Sequence, residues 1–143
     1  MTVAKLMKQK SHDVITGTAE MTVLDATRML ERHRIGAVVI VNASGGVAGI
    51  LSERDIVQAI ARNGAGVLDR PVSAFMTSDV VTCETHSTVA DVMATMTRGK
   101  FRHMPIVNNG LLDGIVSIGD VVKYRIEEAE AEAQAMREYI TTG

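Results

Sequence analysis

Several residue types that support particular functions are scarce in this 143-residue chain. It has no tryptophan, two tyrosines and two phenylalanines, so it offers few rings on which nucleic-acid bases could stack. Cys83 is the only cysteine, which excludes an internal disulfide and a Cys-x-x-Cys metal site and is typical of a reducing compartment. The net charge is -2 at pH 7, so no overall basic field attracts polyanions. Nucleic-acid binding is therefore disfavoured.

Signals for membranes and for secretion are also missing. No apolar run approaches the roughly 18 residues of a membrane span. The segment from Met1 to Ser11 carries lysines but lacks the long apolar core of a signal peptide. We therefore expect a cytoplasmic protein without a membrane partner. The hydrophobic content of 46% suits one compact unit that buries a core without metals or crosslinks.

Motifs of common enzyme classes do not occur. The sequence has no His-Glu-x-x-His, no Walker loop and no nucleophile elbow, and the glycines of 45–49 fall in a predicted hairpin. His103, Asp55 and Asp120 could in principle form an acid–base set, but nothing positions a reaction. Metal-ligand spacing is also lacking among the histidines, which are His12, His33, His86 and His103. The sequence thus predicts no catalysis and no metal.

An internal repeat of nearly full length organises the chain. The offset is 66 residues for two blocks and 65 for a third. The matches are Val14-Ile15-Thr16 with Val80-Val81-Thr82, Thr22–Ala26 with Thr88–Val92, and Gly49–Val57 with Gly114–Val122. The lead-in segments Val3–Met7 and Val72–Met76 also match, at an offset of 69, so the first copy has three extra residues in its following loop. Two related units therefore account for most of the sequence.

Each copy predicts a short strand, a helix, a β-hairpin and a second helix. Apolar residues recur at helical spacing over Thr22–Arg32 and Thr88–Arg98. Ala37–Val41 and His103–Val107 are continuous apolar runs of strand length, each followed by turn residues. We expect an α/β (α+β) fold of two β-α-β-β-α units. The predicted boundaries are 1–67 for the first unit with its lead-in, 68–126 for the second, and 127–143 for a helical extension.

A Ser-x-x-Asp pattern occurs in both copies, as Ser52 with Asp55 and as Ser117 with Asp120. Each pair lies where an apolar strand gives way to a helix. The spacing suits a capping box, which stabilises a helix start without any ligand. It also places a carboxylate near the unpaired N–H groups of the helix, where it could accept both hydroxyls of a ribose. Two copies in register favour the ligand interpretation, and the capping interpretation stays open.

The repeat unit, with its Gly-Ile-(Leu/Val)-Ser-x-x-Asp ending, resembles the CBS (cystathionine-β-synthase) domain family. The resemblance covers almost the whole chain and is to a stand-alone tandem pair. It implies two units packed about a pseudo-twofold axis, with adenosine derivatives bound in the clefts between them. It also implies regulation of a separate, unidentified effector protein. AMP is the first expected ligand, with ADP, ATP, NAD(H) and S-adenosylmethionine as others. A ligand-independent dimerisation or adaptor protein is the alternative.

In this family the Ser/Asp pair of one repeat faces the first strand and hairpin of the other, which implies two unlike clefts. Cleft A would comprise Ser52, Asp55, Val80, Val81, Thr82, Arg102, His103, Met104 and Pro105. Cleft B would comprise Ser117, Ile118, Asp120, Val14, Ile15, Thr16, Thr18, Gly36 and Ala37. The Arg102 guanidinium suits phosphate oxygens, whereas the matching positions in cleft B are Gly36 and Ala37. Arg54 could substitute from the opposite repeat or form a surface salt bridge.

The last helix is predicted to continue from Ile118 to Ile140. Six residues in it follow the 4-3 spacing of a heptad seam, namely Val122, Ile126, Ala129, Ala133, Met136 and Ile140. A helix of about 34 Å at about 1.5 Å per residue is longer than one small unit can cover. The sequence therefore predicts a homodimer in which this seam contributes, although packing on the parent unit stays open.

Overall fold

Strands and helices alternate in two similar units. The computed structural model describes residues 1–10 and 14–142, so His12 lies outside the described residues. The elements are α1 (Val3–Lys8), β1 (Thr16–Gly17), α2 (Val23–His33), β2 (Ala37–Val41), β3 (Val47–Ser52), α3 (Glu53–Asn63), α4 (Val89–Gly99), β4 (His103–Asn108), β5 (Leu111–Ser117) and α5 (Ile118–Thr142). Two 3-10 turns, Ala65–Asp69 and Val72–Ala74, connect the units. The predicted mixed fold with an extended last helix is confirmed.

The first helix of each unit begins and ends with the same local signals. The backbone N–H of Asp25 donates to the Thr22 hydroxyl at the start of α2, at 3.1 Å, and Asp91 does the same to Thr88 at the start of α4. These bonds satisfy N–H groups that have no partner inside the helix. The left-handed residues Arg34 and Lys100, at φ 53° and 58°, end the two helices. Matching caps therefore set matching helix lengths.

The two sheets differ by one strand. In the first unit β1 runs parallel to β2, and β2 pairs antiparallel with β3. In the second unit β4 pairs antiparallel with β5, and the first strand is reduced to a single parallel bridge between Cys83 and Ile106. Thr16 pairs with Val39, and the repeat offset places Pro105 where Val39 stands. Because proline has no N–H to donate, pairing at that position is lost.

Each unit is completed by the lead-in of the other. Val3 and Leu6 of α1 are buried in the core of the second unit, with Cys83, Val89, Val92, Met96, Met104, Ile106, Val116 and Val121. Val72 is buried in the core of the first unit, with Val23, Ala26, Leu30, Val38, Ile40, Leu51 and Ile56. The bridges Thr2–Thr88 and Thr22–Pro71 hold these exchanged segments. The sequence boundary at residue 67 stays a prediction about repeats, since packing crosses it in both directions.

A glycine in each hairpin accommodates the exchanged segment. A Cβ on Gly49 of β3 would lie 2.6 Å from Met76 Sδ and 3.0 Å from the Thr77 carbonyl oxygen. A Cβ on Gly114 of β5 would lie 2.7 Å from Met7 Cε. Glycine leaves room in both strands for the lead-in of the opposite unit, and the space is more restricted at Gly49, where backbone is among the close atoms.

Most of α5 extends beyond the core. Val121 is its last buried residue, and Tyr124 still packs partly on the core. Five large side chains after Val121 are exposed by about half or more: Val122 48%, Ile126 53%, Met136 64%, Tyr139 75% and Ile140 73%. This side of α5 is therefore exposed in the single chain. No helix within residues 1–10 and 14–142 has the length and apolar character needed to cross a membrane.

Candidate functional site

Both Ser-x-x-Asp pairs form reciprocal caps at helix starts. At α3, the N–H of Ser52 donates to Asp55 Oδ2 at 2.9 Å, and the N–H of Asp55 donates to the Ser52 hydroxyl at 3.2 Å. At α5 the corresponding bonds between Ser117 and Asp120 are 2.9 and 3.1 Å. The capping interpretation is therefore correct for both pairs. Each cap uses Oδ2, and within the described residues no hydrogen bond reaches Oδ1 of either aspartate.

The Asp120 carboxylate also forms an ion pair with Lys10, which the sequence did not predict. The Lys10 ammonium donates to Asp120 Oδ2 at 2.6 Å and to the carbonyl oxygen of Ile115 at 2.7 Å. The two side chains are 33% and 25% exposed. Burial by itself would raise the pKa of Asp120, but the bonds from Lys10 and Ser117 outweigh it and hold the pKa below its usual value. The carboxylate is thus ionised and neutralised by Lys10 at pH 7.

Within the described residues of the first unit, no cation forms an ion pair with Asp55. Ile50 corresponds to Ile115, and its N–H and carbonyl both bond to the backbone of Thr77, each at 2.9 Å. Thr77 follows the lead-in of the second unit, as Lys10 follows that of the first. An uncharged backbone contact therefore stands beside Asp55, and an ammonium stands beside Asp120. The residue sets of clefts A and B stay predictions, and neither set included Thr77 or Lys10.

His103 lies between the two units. A Cβ on Gly36 would come within 3.1 Å of His103 Cε1 and 3.4 Å of Glu53 Oε1, so the missing side chain at Gly36 makes room for the imidazole. Burial lowers the pKa of His103 below its usual value; Glu53 and Asp120 oppose this effect, whereas Lys10 and Arg102 add to it. His103 was predicted for cleft A, but its side chain lies against Gly36 and its backbone pairs with Ser117, both of which were predicted for cleft B. Its charge is influenced by groups of both units.

The two predicted arginine ligands are exposed. The carbonyl oxygen of Arg102 accepts a hydrogen bond from the N–H of Ile118 at 2.8 Å, which fixes the start of β4 beside the start of α5. No ion pair joins Arg54 to any residue in the described part of the chain, so the surface salt bridge considered for it is not formed there. Both guanidinium groups are thus open to solvent at the unit boundary.

The other predicted site residues fall into three groups by exposure. Met104, Pro105 and Ala37 are buried, and the Met104 side chain belongs to the core of the second unit. Val14, Ile15, Val80 and Ile118 are half-buried, and Thr16, Thr18, Val81 and Thr82 are exposed. Met104 could therefore reach a ligand only through its backbone. The half-buried and exposed residues keep surface that a ligand could cover.

A cleft of about 450 Å³ lies between α1 and α5. It is lined by Leu6, Gln9, Lys10, Asp120, Lys123, Tyr124 and Glu127. Of the predicted site residues it contains Asp120 alone. Sequence reasoning missed the rest because α1 was interpreted as a lead-in to its own repeat. The three extra residues after Met7 were the available signal, since they place Lys10 in a loop with no clear counterpart.

Groups suited to covalent or metal chemistry are not assembled. The Cys83 thiol is buried, and burial together with Glu84 raises its pKa to about 11, so it stays protonated at neutral pH. Within residues 1–10 and 14–142, no three His, Cys, Asp or Glu side chains lie close enough together to hold a metal ion.

Comparison with known proteins shows which family the two units resemble. The CBS domain family matches residues 3–62 and 72–127. The CBS domain-containing protein CBSX3, mitochondrial, of Arabidopsis thaliana is 31% identical over 150 residues, covering 99% of this chain and 73% of that protein. The crystal structure of the CBS-domain containing protein ATU1752 from Agrobacterium tumefaciens is 47% identical, with a TM-score of 0.84 over 87% of this chain and 92% of that one.

A further solved structure carries a ligand. The CBS domain protein PAE2072 from Pyrobaculum aerophilum, complexed with AMP, is 26% identical, with a TM-score of 0.75 over 84% of this chain and 89% of that one. Proteins of this kind are generally regulatory, and no catalytic family is indicated. The two family matches coincide with the two units seen here. The chain is a member of the CBS domain family and contains two CBS repeats.

Proposed function

We propose that this chain is a non-catalytic sensor that binds adenine nucleotides, AMP first among them, in the clefts between its two repeats. ADP, ATP and NAD(H) are the other ligands to test. Binding would regulate a separate effector protein. The AMP complex of PAE2072, a relative of the same fold, supports an adenosine ligand.

The observation that carries the proposal is the hydrogen bonding of the Asp55 and Asp120 carboxylates. Each carboxylate uses Oδ2 to cap a helix, and Asp120 Oδ2 also accepts the Lys10 ammonium. A ribose diol would bond Oδ1 and would share Oδ2 with these donors. The N-terminal ends of α3 and α5 add a partial positive charge that favours an anionic ligand nearby. Exposed Arg102 and half-buried His103 supply groups that suit phosphate.

Ligand-induced stabilisation tests the proposal, because a ligand that binds only the folded state raises the unfolding temperature. Nucleotide-free protein should show this shift with AMP, and calorimetry should give a micromolar dissociation constant. Substituting both aspartates, Asp55→Asn and Asp120→Asn, should abolish the shift. Asparagine retains an oxygen for the cap, but its NH₂ group cannot accept a ribose hydroxyl.

The control uses a cap that is remote from the clefts. Thr22 and Asp25 form the same reciprocal box at the start of α2. Asp25→Asn should therefore alter basal stability as the other caps do, while leaving the AMP shift intact. If no adenine nucleotide shifts the melting temperature of verified ligand-free protein, the sensor proposal is wrong and the adaptor alternative gains support.

A homodimer forms part of the same proposal. The seam of α5 is supported by the exposure of Val122, Ile126, Met136 and Ile140, which leaves large apolar groups in water in a single chain. Val57 on α3, the repeat counterpart of Val122, is also an exposed apolar side chain, at 65%. Sedimentation at micromolar concentration should give twice the chain mass of 15.4 kDa. A monomer, with and without AMP, would reject the dimer.

We place the protein in a reducing compartment, with the cytoplasm as the proposed location. The support is its single, buried cysteine, which needs no oxidising environment. The Arabidopsis relative is named as mitochondrial, so the compartment is a separate question from the fold. Nucleic acid and membranes are not among the proposed partners, in line with the net charge of -2.

A further inference from the structure

The charge at Asp120 distinguishes the two clefts more sharply than any other contact. Six residues separate Met7 from Val14, whereas three separate Met76 from Val80. The longer loop of the first copy carries Lys10, whose ammonium reaches across to the second unit. There it bonds the Ile115 carbonyl, while the equivalent Ile50 carbonyl accepts a backbone N–H from Thr77. Among the described residues, the loop that carries Lys10 thus places a positive charge beside Asp120, and no ion pair forms at Asp55.

Lys10 binds the same carboxylate that a ribose would need. Asp120 Oδ2 already accepts the Ser117 N–H and the Lys10 ammonium, and both charged side chains are at least two-thirds buried. A neutral nucleoside that draws Asp120 away would leave the ammonium without its counterion in a half-desolvated place, which is unfavourable. A phosphate, by contrast, offers the ammonium a new anion within reach of its flexible stem.

Resting on the sensor function proposed above, we propose that Lys10 sets the ligand selectivity of cleft B. It binds Asp120 when no ligand is present and moves to the phosphate when a nucleotide enters. Lys10 would thus act as a phosphate-binding cation at Asp120. Cleft B then discriminates nucleotides from nucleosides through an exchange of ion pairs.

The test isolates cleft B by using the Asp55→Asn background and compares AMP with adenosine by calorimetry. With Lys10 present, AMP should bind roughly ten- to a hundredfold more tightly than adenosine, the range of a charge-assisted hydrogen bond. With Lys10→Ala, AMP should weaken and adenosine should strengthen, so that the two constants come within about threefold. Lys10→Gln removes the charge but keeps a donor for Ile115, and it should give the same result if the alanine variant folds poorly.

Lys8→Ala is the matched control, since it removes the same charge from an exposed position of α1 and should leave the ratio unchanged. An unchanged ratio in Lys10→Ala and Lys10→Gln would overturn the role of Lys10 alone. Equal weakening of AMP and adenosine would also overturn it, because that result indicates a structural role. If the unsubstituted chain binds neither compound, the sensor function fails, and the role of Lys10 fails with it.

Discussion

The two CBS repeats share their backbone signals and differ in the side chains that border the clefts. Caps at equivalent threonines, serines and aspartates set the helices in both, and a glycine in each hairpin admits the lead-in of the other. Yet Asp120 is paired with Lys10 and Asp55 has no cation in the described structure. Arg102 and His103 likewise correspond to Gly36 and Ala37.

This difference separates two kinds of constraint on a duplicated domain. Residues that determine the backbone, such as caps and close-approach glycines, stabilise both copies in the same way. Residues that meet a ligand can diverge, since each cleft is a separate surface. A tandem pair can therefore acquire two unlike sites without changing its architecture, and each prediction below alters one side of the comparison.

The largest effect is expected from Arg102, the candidate phosphate ligand of cleft A. In the Asp120→Asn background, Arg102→Ala should weaken AMP binding by about 1–3 kcal/mol, the range for a hydrogen bond to a charged group. Adenosine binding should change little, because adenosine has no phosphate. Calorimetric titration of both ligands measures the difference. Arg28→Ala, an exposed arginine on α2, serves as the charge control; equal losses for AMP and adenosine would contradict the assignment.

Alanine substitutions at Gly49 and Gly114 should lower the free energy of unfolding by different amounts. Gly49→Ala brings its Cβ against both Met76 and the Thr77 backbone, which cannot move aside easily. We expect a loss of about 1–3 kcal/mol in the free energy of unfolding, as for other overpacked sites. Gly114→Ala meets the flexible ends of Met7 and Ile106, so its loss should be smaller. Urea denaturation of the two variants compares them, and a larger loss in Gly114→Ala would contradict the expected order.

The smallest effect concerns Asp120 and pH. At pH 7, Asp120→Asn should destabilise the chain by about 0.5–1 kcal/mol more than Asp55→Asn, because it also breaks a partly exposed ion pair. The folded-state pKa of Asp120 is lowered, so its stabilisation is present above the ordinary value of 3.8. It is lost as pH falls through the lower folded value. Denaturation should therefore show the excess shrinking below about pH 4; a pH-independent excess would contradict the ion-pair origin.

Local sequence patterns predicted most of the fold, but they did not predict the contacts between the two repeats. Internal similarity was sufficient to predict the units, and Ser-x-x-Asp spacing offered the caps as one of two interpretations. The 4-3 apolar spacing predicted a long α5, which ends at Thr142 instead of Ile140. The burial of Val3 in the core of the second unit was not predictable, because the apolar spacing of a short helix does not specify which core it packs against. Lys10 and Asp120 are 110 positions apart in the sequence. Lys10 lies in a loop that is three residues longer than the matching loop of the second copy. Sequence comparison of the two copies therefore passes over it.

The exchanged lead-ins bear on how such a pair could have arisen by duplication. Val3 and Val72 are fully buried, each in the core formed by the other repeat. An ancestral chain with one repeat would have had a lead-in with no place in its own core and a core lacking its lead-in. Two copies of that chain would satisfy both needs by reciprocal exchange, as in domain-swapped dimers. Fusion of the two genes would then keep both exchanged lead-ins within one chain. The fold of the single chain therefore retains the twofold symmetry of the ancestral dimer.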